Sequence, residues 1–511
     1  MHEASINKDL IIKNTLFLYV RLLLSTIVAL YTSRVVLQSL GVSDYGLYNV
    51  VGGIVLLFTF VNNTLRSGTG RFFSFVLGEG NTCKIKNIFS VSFYFHILLS
   101  FFILVLSEII GLWLIHCIMQ IPDGRMNASV WILHFSIVAS MFSIIQIPFE
   151  ALIISFERMG IFAYISIIDV SLKLLAAFAI QIVDNDKLIF YAFLMMVVHI
   201  IMSVLLILYS RRQFRACLCF DSFDKRVFKK VSSFAGWDAM RSIAVVLQNH
   251  GLNVLFNIFL GVVVNAAKGI AFQVNAVVQS FVLNLQEAVN PQIVKLYASG
   301  DKKQMTKLVF SNSKLSAYLF IFMAIPVCIE IDYILSFWLV TYPEHTSSFI
   351  RILMFLTLIG TMTQPVVMAA KAVGRMKNVN LTASVALLTI IPLCYVLLFM
   401  GCSPETALLV YIIPWSIELF FYLFWLHKYI DFPIMGFYKE VYAKVIPLGI
   451  MALLPPLCIH FMLESGFIRF ILVCICSIIT SGLIFTLLGM TNGQKAYLYG
   501  IVRKKLSVIL R

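Results

Sequence analysis

Residues 18–30 read LYVRLLLSTIVAL, an apolar run that is broken by a single cation, Arg21. Similar runs recur along the whole chain of 511 residues, which is 60% hydrophobic and only 12% charged. A soluble domain cannot bury so much apolar surface, whereas runs of about 20 residues cross the hydrocarbon of a bilayer. The runs are also too long for barrel strands and do not alternate as those strands do. The sequence therefore predicts an all-α polytopic membrane protein.

Fourteen stretches have the length and apolar composition of transmembrane helices. They lie near residues 14–34, 46–65, 88–115, 130–153, 161–183, 188–210, 236–258, 267–290, 312–340, 349–370, 378–400, 405–426, 444–463 and 467–489. We number these predicted spans 1 to 14 in chain order.

The basic residues are distributed unevenly between the two sides of these spans. Of 39 Lys and Arg residues, 30 fall on the side of the N-terminus, six on the opposite side and three inside helices. The six are Arg34, Arg125, Lys187, Lys268, Arg351 and Arg469. Because cytoplasmic loops carry the excess of basic residues, this bias predicts that both termini are cytoplasmic. The net charge of +15 then reflects membrane topology and not affinity for nucleic acid.

The longest and most basic loop, 211–235, separates spans 6 and 7. It predicts an N-lobe of six helices at 1–210, a cytoplasmic linker at 211–235 and a C-lobe of six helices at 236–430. The remaining residues, 431–511, carry two further helices and a basic cytoplasmic tail.

A shift of 220 residues superimposes landmarks of the two halves. The matched pairs are Arg21 with Arg241, the LGV at 40–42 with the LGV at 260–262, and Gly80 with Gly300. Overall identity between the shifted halves is at chance level, so only the positions of the matches indicate a repeat. They mark a cation in the first helix, its outer end and the turn after the second helix. We therefore predict two pseudo-symmetric six-helix bundles.

Polar side chains concentrate in the first two spans of each half. Asn249, Asn253 and Asn257 recur every fourth residue and form one stripe along span 7. In lipid these amides would lack hydrogen-bond partners, so we expect the stripe to face the bundle interior or a water-filled cavity. With Arg21 and Arg241 nearby, that cavity would be positively charged. The candidate cavity-lining residues are Gln248, Asn249, Asn253, Asn257, Asn275 and Gln279.

Structural roles are the alternative for each of these groups. Arg21 lies about 10 Å into its helix, at 1.5 Å per residue, so its side chain can snorkel to the headgroups. Arg241 follows Asp238 by three residues, which suits an ion pair on one helix face. The amide stripe can hold helices together, as amides do in membranes.

Four carboxylate or ammonium groups are candidates for coupling transport to an ion gradient. Asp169 and Lys173 stand four residues apart in span 5, where they can pair for structural reasons or open and close with protonation. Glu150 follows Pro148 in QIPFEA, where the proline frees a backbone carbonyl and can kink the helix. Asp238 completes the set.

The sequence lacks the usual signatures of catalysis and of cofactor binding. It contains no metal-ligand spacing, no nucleotide-binding P-loop and no Ser-His-Asp set on an external loop. The Cys-x-Cys pairs at 217–219 and 474–476 do not have a zinc spacing. We therefore expect no cofactor, and a transporter and not an enzyme.

Two stretches resemble a known family. NTLFLYVRLLLSTIVALYTSRVVLQSLGVSDYGLYNVVGGIV, residues 14–55, resembles the N-terminal signature of bacterial polysaccharide repeat-unit (O-antigen) flippases, with LGVSDYGLYNVV as its most specific part. LQNHGLNVLFNIFLGVVVNAAKGIAFQVNAV, residues 247–277, resembles the start of their second lobe. The family belongs to the multidrug/oligosaccharidyl-lipid/polysaccharide exporter (MOP) superfamily. The resemblance implies two six-helix bundles around a central cavity, often with two extra C-terminal helices.

The resemblance also implies a function. Such a flippase moves an undecaprenyl-pyrophosphate-linked oligosaccharide across the bacterial cytoplasmic (inner) membrane by alternating access, for O-antigen or capsule-type polysaccharide. Related peptidoglycan-precursor flippases use cavity arginines, and Arg21, Arg66 and Arg241 match by position as pyrophosphate-binding residues. Arginine forks suit phosphate oxygens. The implied partners are the lipid-linked substrate, membrane lipids, a polysaccharide polymerase and glycosyltransferases.

Two other functions stay open. A drug or metabolite antiporter of the same fold would need buried carboxylates for cationic substrates, whereas cations predominate among the candidates here. A membrane enzyme of polysaccharide assembly would need a catalytic set on a sizeable external loop, and the external loops are short.

Overall fold

The computed structural model describes residues 8–56, 59–80, 82–117, 119, 121, 124–183, 186–215, 217–218, 224–339, 342–490 and 495. Within these residues the chain is helical and contains no strand, which confirms the all-α prediction. The α-helices are α1 (Lys8–Leu56), α2 (Thr59–Gly78), α3 (Thr82–Cys117), α4 (Met126–Ile145), α5 (Ile147–Ser155), α6 (Met159–Ala179), α7 (Lys187–Gln213), α8 (Lys225–Ala298), α9 (Lys302–Ile329), α10 (Ile331–Leu339), α11 (Thr346–Val373), α12 (Met376–Leu388), α13 (Ile390–Phe399), α14 (Pro404–Leu409), α15 (Ile412–Ile430), α16 (Ile434–Phe437), α17 (Ala443–Met462) and α18 (Phe467–Ile484). A 3-10 helix covers Ile180–Ile182, and π-helical turns cover Tyr438–Tyr442 and Phe485–Gly489.

Twelve helical segments in the described part of the chain are long and apolar enough to cross a membrane. They correspond to twelve of the fourteen predicted spans. The other two, predicted at 46–65 and 267–290, are helical where the structure describes them, in α1, α2 and α8. These are spans 2 and 8, in which the sequence places a concentration of polar side chains.

Two long helices, α1 and α8, each change direction at one glycine. Gly41 has φ 77° and ψ 168°, and Gly261 has φ 82° and ψ 179°. Only glycine adopts this backbone region without strain, so each residue interrupts its helix. The two glycines are 220 residues apart, within the LGV sequences that the predicted repeat superimposes.

The same offset recurs at further landmarks. Gly80 and Gly300 follow the ends of α2 and α8 with φ 71° and 86°, and each amide donates to the carbonyl three residues earlier. Helix starts follow an offset of 220 at Thr82/Lys302 and Met126/Thr346, and of 217 at Met159/Met376 and Lys187/Pro404. The helices of the two halves therefore follow one another in register along the chain, as the repeat predicts.

The chain forms two compact units, each with its own hydrophobic core. Unit 1 comprises Met1–Val246, Glu287–Met305 and Lys371–Leu381, and unit 2 comprises Leu247–Gln286, Thr306–Ala370 and Thr382–Arg511. Unit 1 therefore contains two segments from the second half of the chain. The predicted lobes and their 211–235 linker stay a prediction.

Lys268 is one residue for which the predicted loop assignment is wrong. It lies inside α8 because the helix resumes directly after Gly261, and it is 2% exposed. Its ammonium donates to Asn253 Oδ1 at 2.8 Å and lies 4.9 and 5.5 Å from the ring centroids of Phe256 and Phe272. Without Lys268 the basic residues still favour the predicted cytoplasmic side by 30 to five.

Candidate functional site

Arg66 of α2 and Glu150 of α5 form an ion pair in unit 1. The Arg66 Nη2 and Glu150 Oε2 atoms are 3.2 Å apart. The Glu150 side chain is 6% exposed, whereas that of Arg66 is 37% exposed. Pro148 lies in the first turn of α5, a position that a helix tolerates, and so helps to start the short helix that carries Glu150. The structure thus joins a predicted phosphate-binding residue to a predicted ion-coupling residue.

Arg21 and Glu287 extend this pair. Arg21 interacts electrostatically with Glu287, Arg66 and Glu150, and its guanidinium lies 4.8 Å from the ring centroid of Phe162. Glu150 also interacts with Glu287. We call Arg21, Arg66, Glu150 and Glu287 the four-charge cluster. Two arginines and two carboxylates balance each other formally, whereas the sequence predicts a positively charged cavity.

Part of the hydrogen-bonding capacity of the four-charge cluster is unused. Within the described residues, the buried Arg66 Nε and Glu150 Oε2 atoms make no hydrogen bond, although Oε2 lies 3.2 Å from Arg66 Nη2 in the ion pair. A buried polar atom without a partner costs about 1–3 kcal/mol, and more if it is charged. A ligand oxygen at Arg66, or a proton on Glu150, would recover part of that cost.

Asp238 has a partner that lies far away in the sequence. Its carboxylate accepts hydrogen bonds from Lys371 at 2.9 Å and from Asn380 at 3.4 Å, all within unit 1. Lys371 also donates to Ser67 at 2.9 Å. Arg241, the predicted partner of Asp238, is half-buried in the same helix. Spacing along one helix predicts a pair with Arg241 but cannot reveal Lys371.

The predicted pair of Asp169 and Lys173 is present in α6. The Lys173 Nζ and Asp169 Oδ2 atoms are 2.7 Å apart, and both side chains are partly exposed. His199 of α7 interacts electrostatically with both, and its Nδ1 lies 3.3 Å from Ser143 Oγ. A third titratable group therefore faces the pair. Spacing along one helix cannot reveal His199, because it lies on another helix.

Four of the predicted cavity-lining amides belong to unit 2 and differ in exposure. Gln248 and Asn275 are buried, whereas Asn249 and Gln279 are half-buried. The buried Oδ1 atom of Asn275 has no hydrogen-bond partner among the residues that the structure describes.

The two remaining amides of the stripe also lie in unit 2. Asn253 is exposed and accepts the hydrogen bond from Lys268. The side chain of Asn257 lies outside the described part of the chain. The four-charge cluster belongs to unit 1, so a common cavity lined by both groups stays a prediction.

Glu287 is the member of the four-charge cluster that the sequence analysis does not single out as a site residue. It stands in the polar span 8, directly after Gln286, which corresponds to Arg66 after the 220-residue shift. A carboxylate in such a span is itself a signal, because ionisable residues inside membranes are expensive and usually functional.

No family model matches the chain, and no curated protein matches it. Solved structures, in contrast, match most of its length. A crystal structure of a MATE point mutant superimposes with a TM-score of 0.72 at 9% identity, and the match covers 83% of this chain and 96% of that chain. The chain has the MATE fold.

The MATE fold also appears in the other matches. The Vibrio cholerae MATE transporter VcmN in its bent form matches with a TM-score of 0.61 at 13% identity, over 85% of this chain and 100% of that chain. A MOP superfamily transporter from Pyrococcus furiosus matches with a TM-score of 0.66 at 11% identity, over 83% and 95%. That transporter is described as having a binding pocket of reverse polarity that suggests a different function. The Vibrio cholerae and Pyrococcus furiosus proteins are transporters. The predicted fold is thus confirmed.

Proposed function

We propose that the protein is a membrane transporter whose substrate is an amphiphilic anion, an undecaprenyl-pyrophosphate-linked oligosaccharide. The Arg66–Glu150 ion pair, whose atoms do not use all their hydrogen-bonding capacity and with which Arg21 interacts electrostatically, is the observation that carries the proposal. A diphosphate has several negatively charged oxygens, and guanidinium groups bind such oxygens bidentately.

The ion pair suggests how binding would proceed. A phosphate that binds Arg66 replaces Glu150 as the counter-ion of the guanidinium. Glu150 then remains buried without its closest cation, and a buried carboxylate in that position favours its protonated form. Substrate binding and proton uptake are therefore coupled at this pair. Once Glu150 is neutral, the four-charge cluster has a net positive charge, which favours the anion further.

A drug or metabolite antiporter is the second candidate. The structural comparisons favour it, since the matches include an outward-facing multidrug resistance MATE transporter. In this candidate Glu150 and Glu287 bind a cationic substrate and exchange it for protons. The arginines and the flippase resemblance of residues 14–55 favour the first candidate. The binding pocket of the Pyrococcus furiosus protein is described as having reverse polarity, so this fold accommodates binding pockets of opposite polarity.

We assign roles in transport to further residues of the chain. Arg241 serves as an additional phosphate contact, and amides such as Asn249 and Gln279 bind the sugars. Asp169, Lys173 and Asp238 take part in ion coupling. The protein lies in the bacterial inner membrane with both termini cytoplasmic, where glycosyltransferases supply its substrate and a polymerase consumes it.

Two substitutions distinguish the candidates because their expected effects are opposite. For an anionic substrate, Arg66→Gln weakens binding of undecaprenyl diphosphate at least tenfold, since a charge-assisted hydrogen bond contributes about 1.5–3 kcal/mol. Glu150→Gln binds the probe at least as tightly as wild type, because an amide does not compete for Arg66. Titration of the purified protein with undecaprenyl diphosphate measures both effects. Arg226→Gln is the matched control, since its side chain is 92% exposed in the same unit.

The same variants are then titrated with ethidium, a cationic probe. If the protein is a drug antiporter, Glu150→Gln loses ethidium binding and Arg66→Gln retains it. That pattern, together with no binding of undecaprenyl diphosphate, would replace the first candidate by the second. A pH indicator in weakly buffered solution tests the coupling: the wild type takes up protons on binding undecaprenyl diphosphate, and Glu150→Gln does not.

A further inference from the structure

Helices α2 and α8 meet at their last turns within unit 1. A Cβ atom at Gly78 would lie 2.5 Å from the carbonyl oxygen of Lys295 and 2.7 Å from the Cβ of Ala298. Residues 78 and 298 are 220 apart, so equivalent positions of the two halves touch each other. The rings of Phe75 and Tyr297 lie beside this crossing, 6.3 Å apart. The crossing therefore coincides with a local pseudo-two-fold axis.

On one side of this axis, the turn between α5 and α6 binds α8. The Glu157 carboxylate accepts a hydrogen bond from Gln292 Nε2 at 3.0 Å and forms an ion pair with Lys295. The Glu157 side chain is buried, whereas Lys295 is about one quarter exposed. Two residues of α8 thus hold one carboxylate of the first half of the chain.

On the other side, the equivalent turn between α11 and α12 binds α2. Gly374 stands 217 residues after Glu157, the offset of the neighbouring helices. Arg71 of α2 donates to the carbonyl oxygens of Lys371 at 3.0 Å and Ala372 at 2.9 Å, and so caps the C-terminus of α11. A Cβ atom at Gly374 would overlap the Arg71 guanidinium. The two contacts occupy equivalent places but use different chemistry.

The two equivalent turns differ in the residue that adopts a positive φ. Gly374 has φ 81°, in the left-handed region that favours glycine, whereas Glu157 has φ 58° in the equivalent turn. A residue with a side chain is strained there, so glycine would suit the backbone better at position 157 as well. Strain of this kind persists where the side chain has a function. The function that the structure offers for Glu157 is its contact with Lys295 and Gln292.

We propose that these two contacts, one from the α5–α6 turn to α8 and the other from α2 to the end of α11, form a latch across the crossing of α2 and α8, and that the Glu157–Lys295 ion pair is its releasable side. Water can solvate the partly exposed Lys295 when the pair opens. Arg71 is buried, with ring centroids of Phe72 and Phe75 4.9 Å from its guanidinium, so its contact is harder to open. The latch rests on the proposed transport function, and the predicted topology places it on the cytoplasmic side.

The distance between the two helix ends tests the latch. Spin labels are attached to cysteines at Glu79 and Ser299, which are exposed and equivalent, in a variant whose native cysteines are replaced by serine. Pulsed electron paramagnetic resonance is recorded in nanodiscs without substrate. We expect one short distance to dominate in the parent, and a longer-distance population at least fivefold larger in Glu157→Gln.

Two further variants complete the design. Glu157→Gly removes the same carboxylate and relieves the backbone strain, so it should open the latch without loss of folded protein. Glu440→Gln removes an exposed carboxylate that pairs with Lys314 and Lys444 in unit 2, and it should leave the distances unchanged.

The inference is overturned if both Glu157 variants keep the distance distribution of the parent while their melting temperatures show folded protein. Because the measurement contains no substrate, it is independent of the substrate proposal. The two proposals can therefore fail separately. If the Glu157 variants show the longer distance but the wild type does not bind undecaprenyl diphosphate, the latch is supported and the proposed substrate is contradicted.

Discussion

Gly78→Ala is expected to separate the ends of α2 and α8 or to destabilise the folded protein. The added methyl group would overlap backbone atoms of Lys295 at 2.5 and 2.7 Å, and a helix backbone cannot move aside as a flexible side chain does. Overpacking of this kind costs about 3 kcal/mol if the helices keep their places. The apparent melting temperature in detergent and the distance between labels at Glu79 and Ser299 report the two outcomes.

Gly236→Ala is the matched control for this substitution. Gly236 is also helical and belongs to unit 1, but no heavy atom lies within 4 Å of its added Cβ. Because alanine is favoured over glycine in a helix by about 1 kcal/mol, this variant should be as stable as wild type or more stable. Equal behaviour of the two variants would contradict the close crossing at Gly78.

Glu330→Gln is expected to cause the second large loss of stability, because it detaches α17 and α18 from the end of α9. The Glu330 side chain has no exposed surface and contacts two basic side chains, His460 Nδ1 at 2.8 Å and Arg469 Nη2 at 3.0 Å. Removing one partner of a buried ion pair costs about 3–5 kcal/mol, because the other charge stays buried without compensation. Hydrogen exchange over residues 443–484 should accelerate, and the melting temperature should fall.

Glu440→Gln again supplies the comparison, since it removes a carboxylate of which nearly half is exposed. Its pair with Lys444 is exposed and contributes about 1 kcal/mol or less, whereas its partner Lys314 is buried, so the melting temperature should fall less than in Glu330→Gln. If Glu330→Gln and Glu440→Gln melted alike, Glu330 would not anchor the C-terminal helices.

Most of the fold is predictable from the sequence because hydrophobic length and loop charge are local properties. The repeat is detectable from Gly41, Gly80 and their counterparts Gly261 and Gly300, since a positive φ leaves little choice of residue. Spans 2 and 8 are predicted from their apolar length although both also carry polar side chains. The sequence misplaces Lys268 since α8 continues after Gly261 and buries a lysine among aromatic rings.

The candidate site is predictable only in part. Arg21, Arg66 and Glu150 stand out individually, because a charge inside an apolar helix is costly. Their grouping with Glu287, and the choice of Lys371 as a partner of Asp238, depend on contacts between helices that are distant in sequence. A single sequence contains no signal for such contacts. It is for this reason that the sequence does not predict the balanced charge of the cluster.

The paired glycines at 41, 80, 261 and 300 also bear on ancestry. Their equal spacing and shared positive φ indicate an internal gene duplication, although sequence identity between the two halves is at chance level. Searches for distant relatives should therefore start from the spacing of these glycines, and not from charged residues that differ between the two halves, such as Arg66 and Gln286. The same spacing offers a template for splitting the gene into two independently expressed halves.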